Sequence, residues 1–334
     1  MPLRCVQGRT LTIASVLMCR RLTNLWNYSW SLICLLCAHA PVLQDAGRLI
    51  RQRLRHTVGR SIASVRRMVA GPEVSPRRIR RFLAGADLSK TAGPWAIPGS
   101  LTIVVPCFGH AAHLQTMFES IVRQTRPADE VIFVEDRSPD DTAAILAGLI
   151  TGRPNPSIGR FSLLHNERNL GQAATLNRGI GAARCDLIMV LNDDDYLMHD
   201  AVAVTLERFA QHPELGLIGA HSIHFAGDEV LAAAPKTSDA YPGARRPLVV
   251  RRPADVLRYR SYNDLNMTHS SSCFRRAAWA AVGGYYADGQ RRVVPFSDRD
   301  FQLRVNALWP VGVAVEAPLA FWRTDSSVDA GRNS

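Results

Sequence analysis

Three carboxylates and an amide, Asn192-Asp193-Asp194-Asp195, follow directly on the apolar run Leu187-Ile188-Met189-Val190-Leu191. Adjacent carboxylates repel one another, so the cluster is costly unless a cation offsets it. Hard oxygen ligands of this kind suit Mg²⁺ or Mn²⁺ carrying a diphosphate, a task that needs one or two protein carboxylates. The bland alternative is a solvated acidic turn capping the next helix. The residues before the cluster favour the cation. An apolar run this short, bounded by charge, predicts a buried parallel strand. Such a strand ejects its acids at the carboxyl edge of a sheet, where open α/β folds take their ligands.

A second acidic segment, Glu135-Asp136-Arg137-Ser138-Pro139-Asp140, follows another apolar run. A carboxylate there can accept from a base N–H or a ribose hydroxyl, whereas Asp140 reads as a helix cap.

The elements that must carry these residues alternate. Strands are expected at 101–106, 130–134, 161–164, 187–191 and 215–220, and helices at 111–122, 140–150, 171–183 and 200–209. Strands alternating with helices of this length imply βαβ units and a mostly parallel α/β sheet flanked by helices. Aligned carboxyl edges then bring Pro106–His110, Glu135-Asp136, His165–Asn169 and Asn192–Asp195 to one cleft.

Charge divides the 334-residue chain. Residues 1–100 carry 16 Lys and Arg against three acids, and the remainder carries 24 against 26. The body is therefore near neutral, which is not the footprint of a nucleic-acid binder. Within the leader, residues 22–44 are uncharged but interrupted by Asn24, Asn27, His39 and Pro41. Arginines interleaved with apolar residues follow over 48–81, the composition of a basic amphipathic anchor on anionic lipid. Peripheral membrane contact through residues 22–81, a poorly ordered solvated tail and a spanning helix are the open readings. No aromatic platform accompanies 48–81, so nucleic acid is not an expected partner. Gly93-Pro94 and Pro98-Gly99 mark a linker, with the folded domain over 101–327 and a tail at 328–334. The seven scattered cysteines suggest no disulfide framework. They point to a cytoplasmic protein, peripheral on the inner face of the membrane if the leader anchors it.

Taken in order, the motifs resemble a family 2 glycosyltransferase of the Rossmann-like GT-A fold. The residues carrying the resemblance are 102–106, Gln124-Thr125, 135–140, Asn169-Leu170-Gly171, Asn177-Arg178-Gly179, the acidic cluster, 274–276, Gly283-Gly284-Tyr285 and 297–304. The resemblance implies that Asp136 holds the base of a nucleoside-diphosphate sugar, most readily a UDP-sugar, with Pro106, Glu135 and Asn169 beside it. Asn192, Asp193 and Asp194 occupy the D-x-D positions, Asp194 holding the divalent cation and Asp193 lying near ribose. Asp298 stands where such enzymes carry the general base, at a helix start beneath the acceptor, a glycan or lipid-linked glycan.

Several positions depart from the family pattern. Asn192 replaces an acid, Arg137 a turn glycine, Phe108-Gly109 a Tyr-Asn pair, and Asp325 a histidine. The chain does not resemble the processive membrane synthases, so one sugar is expected per binding event, with inversion. A catalytically degenerate glycan- or membrane-binding module and a nucleotidyltransferase are the rival readings. Residues 285–296, with Arg291 and Arg292, read as a mobile loop on the acceptor side. His269 reads as a structural residue within reach of substrate, Asp300 as a partner for Arg304, and Trp309, Phe321 and Trp322 as packing, with an aromatic sugar platform as the alternative.

Overall fold

The computed structural model describes residues 73–87, 95–152, 159–243 and 246–326 of the chain. The first described helix, α1 (Pro76–Gly85), begins at Ser75, whose hydroxyl accepts from the Arg78 N–H at 3.4 Å, with Pro76 in the first turn. Ser, then Pro, is the expected helix-start chemistry. There follow β1 (Leu101–Cys107), a 3₁₀ turn into α2 (Leu114–Val122), β2 (Glu130–Glu135), α3 (Thr142–Thr151), β3 (Arg160–His165) and α4 (Gln172–Ala182). The chain continues through β4 (Leu187–Val190), β5 (Tyr196–Leu197), α5 (Ala201–Gln211), β6 (Leu217–Ala220), β7 (Ser222–Phe225) and α6 (Asp228–Ala233). It ends with β8 (Val249–Arg251), β9 (Cys273–Arg275), α7 (Arg276–Ala281), α8 (Ser297–Leu308), β10 (Val311–Ala314) and β11 (Ala320–Arg323).

Eight strands form the main sheet in the order β3-β2-β1-β4-β9-β6-β10-β8. β3, β2, β1 and β4 pair in parallel, β9 runs antiparallel between β4 and β6, and β10 returns parallel to β6. The alternation within each strand sends side chains to two cores. Leu101, Ile103 and Val105 meet Met117, Phe118 and Val202 on one face. Val104, Ile132 and Val134 meet Leu176, Ile180 and Phe301 on the other. Burial on both faces explains why these strands read as continuous apolar runs. A second sheet, β5-β11-β7, stands beside the first.

Helix α4 lies very close to the sheet at Gly179. A Cβ there would come 2.6 Å from Val104 Cγ1 and 2.9 Å from Val134 Cγ2. Gly179→Ala would gain ~1 kcal/mol in helix propensity. It would lose ~1–3 kcal/mol to overpacking against two stiff β-branched side chains. The variant is expected to unfold at lower urea than the parent; a raised midpoint would contradict this close approach.

The folded body reaches back beyond the expected start at Leu101. Ile79 is fully buried within the second core. Glu73 donates its N–H to the Arg260 carbonyl at 2.7 Å and accepts from the Ser261 hydroxyl at 2.6 Å. The basic amphipathic pattern of 76–85 thus turns its apolar face to protein, leaving Arg77, Arg78, Arg80 and Arg81 exposed. Sequence periodicity cannot tell an apolar stripe facing lipid from one facing a core. Most of the leader, including residues 22–44, lies outside the described residues. Among the described helices none is long and apolar enough to cross a membrane.

Candidate functional site

The carboxyl ends of β1 to β4 open into a cavity of about 340 Å³ whose walls include Pro106, Asp136, Asn169, Asn192, Asp193 and Asp194. Each of these was expected in the cleft, and the shared strand direction is what brings them together. Asp136 is buried and already heavily hydrogen-bonded. Its carboxylate accepts from Asn166 Nδ2 at 2.6 Å, the Leu170 N–H at 2.8 Å and the Gly171 N–H at 2.9 Å. It therefore shapes the 169–171 wall as well as facing the cavity. Glu135 is absent from that wall. It accepts from the Ser138 N–H and lies 3.4 Å from His165 Nδ1, so it fixes the turn beneath Asp136 instead of lying beside a base. In that turn Arg137 takes φ 59°, the left-handed conformation that glycine adopts without strain. Asp140 accepts from the Thr142 N–H at 3.2 Å and the Ala111 N–H at 3.0 Å, tying together the entries to α3 and α2.

The acidic cluster divides its work. Asp193 accepts from the Phe108 N–H and contacts His110 Nδ1, both at 2.8 Å. Burial pushes the Asp193 carboxyl up, and the His110 hydrogen bond and charge pull it down. Burial by itself would lower His110, but the Asp193 hydrogen bond and charge, aided by Asp194 and Asp140, push it up to about 9. Asp195 is pushed to about 8 by burial and by the Asp194 charge. It is held by the Ser270 hydroxyl, the Arg323 N–H at 2.9 Å and the Asn192 amide at 3.1 Å. Arg323 Nε also donates to the Asp194 carbonyl at 3.1 Å, closing the loop on itself.

His110, Asp193 and Asp194 each offer one ligand atom, and these atoms all lie within 4.8 Å of one another. His110 Nε2 is buried without a hydrogen-bond partner. Two carboxylates and one imidazole nitrogen could hold a divalent cation, provided the cation displaces the proton that Asp193 favours on His110. Asn192 is not in this set. Its amide bridges Asp195 and, at 3.3 Å, Gln172. The sequence placed His110 at the end of a converging segment but assigned it no role.

A second cavity, of about 390 Å³, adjoins the first. Gln172, Asn192 and Trp322 line both. Asp298 lines only the second, in the first turn of α8. The N-cap of α8 is Phe296, without any side-chain cap, so Asp298 does not serve as one. His269 also lines this cavity, its Nε2 3.2 Å from the Tyr285 hydroxyl. Burial holds His269 below the ordinary imidazole range, with Asp298 pulling it up and Arg299 pushing it down.

Two expectations on this side need correction. Arg292 donates to the Tyr286 carbonyl at 2.7 Å and the Pro295 carbonyl at 2.8 Å, and Arg291 lies over the Tyr286 ring at 4.2 Å. Both brace the 285–296 loop, and neither lines either of these two cavities. Arg78 of α1 donates to the Arg292 carbonyl at 3.0 Å, tying the loop to the first helix. Trp322 is not packing: it is 36% exposed at the wall the two cavities share. Trp309 is packed as expected, its ring 5.1 Å from that of Trp95.

Other motif residues act on one another. Asn177 donates to the Tyr285 carbonyl at 2.7 Å and accepts from the Tyr285 N–H at 2.8 Å, clamping the Gly283-Gly284 turn. Buried Arg304 pairs with Asp300 at 2.8 Å and donates to the Val282 and Gly284 carbonyls, both at 2.7 Å.

The strand order, the aligned carboxyl edges and the acid cluster after β4 are those of an α/β fold of the GT-A type. The chain belongs to glycosyl transferase family 2, whose profile matches residues 102–278. Over 118 residues it is 27% identical to a poly-β-1,6-N-acetyl-D-glucosamine synthase of Staphylococcus epidermidis, covering 35% of this chain and 27% of that protein. Over 108 residues it is 35% identical to the succinoglycan biosynthesis protein ExoO of Rhizobium meliloti, covering 32% and 29%. The matched stretch thus spans less than a third of either relative. Among solved structures, S. aureus TarS residues 1–349 with UDP-GlcNAc superposes with a TM-score of 0.52 at 12% identity, covering 69% of this chain and 60% of that one. That likeness concerns the fold.

Proposed function

We propose that this chain transfers a sugar from a nucleoside-diphosphate sugar to an acceptor hydroxyl, in one displacement with inversion and with the help of a divalent cation. The observation that carries the reading is the pair of adjoining cavities, one walled by Asp136, Asp193 and Asp194 and the other by Asp298. The first suits a nucleoside diphosphate. The second suits the attacking hydroxyl, and their shared wall is where the anomeric carbon would lie.

Asp298 takes the proton of the acceptor hydroxyl as it attacks. A single base reaching the sugar from the side away from the diphosphate gives inversion. Asp194, with Asp193 and His110, would hold the cation, which when bound supplies charge neutralisation to the leaving diphosphate. Asp136 orients the nucleoside, and Asp195 with Ser270 keeps the acidic loop in place. Burial holds His269, which lines the same cavity as Asp298, below the ordinary imidazole range. UDP-sugars are the first donors to test, since the similar TarS fold was solved with UDP-GlcNAc.

The test is a screen of nucleoside-diphosphate sugars for nucleotide release, with and without Mn²⁺. We expect at least one donor to be hydrolysed slowly in a metal-dependent way. If none is hydrolysed and no nucleotide shifts the melting temperature, a degenerate binding module replaces this reading.

A further inference from the structure

The second cavity has a chemical character of its own, and its bearing on the acceptor rests on the transferase reading. Phe296 is 51% exposed and Trp322 36% exposed, and both line this cavity with Tyr262. These rings are also held in place. Tyr262 meets Phe296 edge-on, with ring centroids 5.1 Å apart. Trp322 pairs in register with His224 on the neighbouring strand, and the two rings meet at 4.6 Å and 86°. Large aromatics left exposed and buttressed in one patch mark a surface that something covers. The 3₁₀ turn bearing Tyr262, the start of α8 and β11 together present these aromatic surfaces beside Asp298.

Apart from Arg299 and His269, the polar part of the wall is neutral or acidic. Asn263, Ser222 and Thr268 supply amide and hydroxyl groups. Among the described residues lining the cavity, Arg299 carries the one Lys or Arg charge, and it is already engaged. Its guanidinium donates to the Met267 carbonyl and to Gln302 Oε1, and lies 3.9 Å from the Asp298 carboxylate. A phosphate or carboxylate placed here would meet the Asp298 charge with no free cation to pair with. A neutral pyranose meets the opposite conditions. Its axial C–H groups form an apolar face that packs on an aromatic ring, whose π-face is electron-rich. Its hydroxyls exchange hydrogen bonds with amides and alcohols at the edge.

We propose that the acceptor is an uncharged saccharide, gripped by Trp322 on one side and by the Phe296–Tyr262 pair on the other, so that a ring hydroxyl is presented to Asp298. Trp322 and Phe296 are then specificity-determining residues for a neutral glycan, selecting against acceptors charged next to the reacting sugar.

The experiment is saturation-transfer NMR on the full chain without donor, using cellotriose, laminaritriose and chitotriose as neutral probes and trigalacturonic acid as the acidic one. Saccharide binding is read in the absence of nucleotide, so it succeeds or fails whatever the donor screen gives. The expected result is transfer to the ring C–H protons of at least one neutral trisaccharide and none to the acidic one. Trp322→Ala and Phe296→Ala should each weaken that binding about tenfold, a loss typical of one aromatic contact. Trp322→Phe and Phe296→Tyr should restore most of it, which a purely structural role would not predict. Stronger binding of trigalacturonic acid, no transfer to any neutral probe, or unchanged binding by both alanine variants would each overturn the proposal.

Discussion

Asp298→Asn is expected to lower turnover about 10²–10⁴-fold, the range for a positioned acid–base group, while leaving nucleotide-dependent stabilisation intact. The substitution keeps size and shape and removes only the ability to take a proton. The fold should be undisturbed by it. Asp298 does not cap α8, and its ionic contact within the chain is a long one, 3.9 Å to Arg299. The residues that hold the start of α8 lie elsewhere: Asp300 accepts from the Val293 N–H at 2.6 Å and pairs with buried Arg304. The first cavity does not include Asp298. Donor binding and turnover should therefore separate in this variant. Turnover within tenfold of the parent would remove Asp298 as the base and direct attention to the other polar groups of the second cavity.

How much of this was legible in the sequence depended on whether the information was local. The parallel strands β1, β2 and β4 could be read because short apolar runs, buried on both faces, alternate with helical segments. The half-exposed edge strand β3 was legible from its place in that alternation. Their shared direction then fixed which loops meet, so Asp136 and Asp194 could be placed in one cleft. Strands β5, β7 and β8 are two to four residues long, too short for a periodicity to show. β9 enters the sheet antiparallel between β4 and β6, a pairing that depends on contacts distant in sequence. Side-chain roles obeyed the same rule. That Asp300 pairs with Arg304 follows from helical spacing. That Trp322 faces both cavities depends on where β11 stands in the second sheet, which its own residues do not announce. His110 was legible as a member of the cleft, but its alignment with Asp193 and Asp194 is a matter of three dimensions. Arg292 misled because a loop arginine near an acceptor site resembles a ligand, and only the fold shows its donors already used on Tyr286 and Pro295.

Asp194→Ala should abolish the stabilisation that nucleotide plus Mn²⁺ gives the parent. At a ligand concentration 100 times Kd that stabilisation is ~2.7 kcal/mol, or roughly 5–10 °C of Tm for a domain of this size. Asp194 is the member of the cluster best suited to this test. Asp193 also anchors Phe108 and His110, so its loss would disturb the loop after β1. Asp195 holds Ser270 and the Arg323 backbone. Among the described contacts of Asp194, the hydrogen bond is made by its carbonyl and not its carboxylate. Removing that carboxylate should cost the apoprotein no hydrogen bond, and it relieves the charge that helps push Asp195 upward. Because the same carboxylate also favours the charged form of His110, the apoprotein Tm of the variant is expected to lie close to that of the parent, while its response to nucleotide and Mn²⁺ disappears. EDTA should bring the parent to the same unresponsive state. A lowered apoprotein Tm with the response intact would mean that Asp194 supports the loop and that the cation is held by other groups.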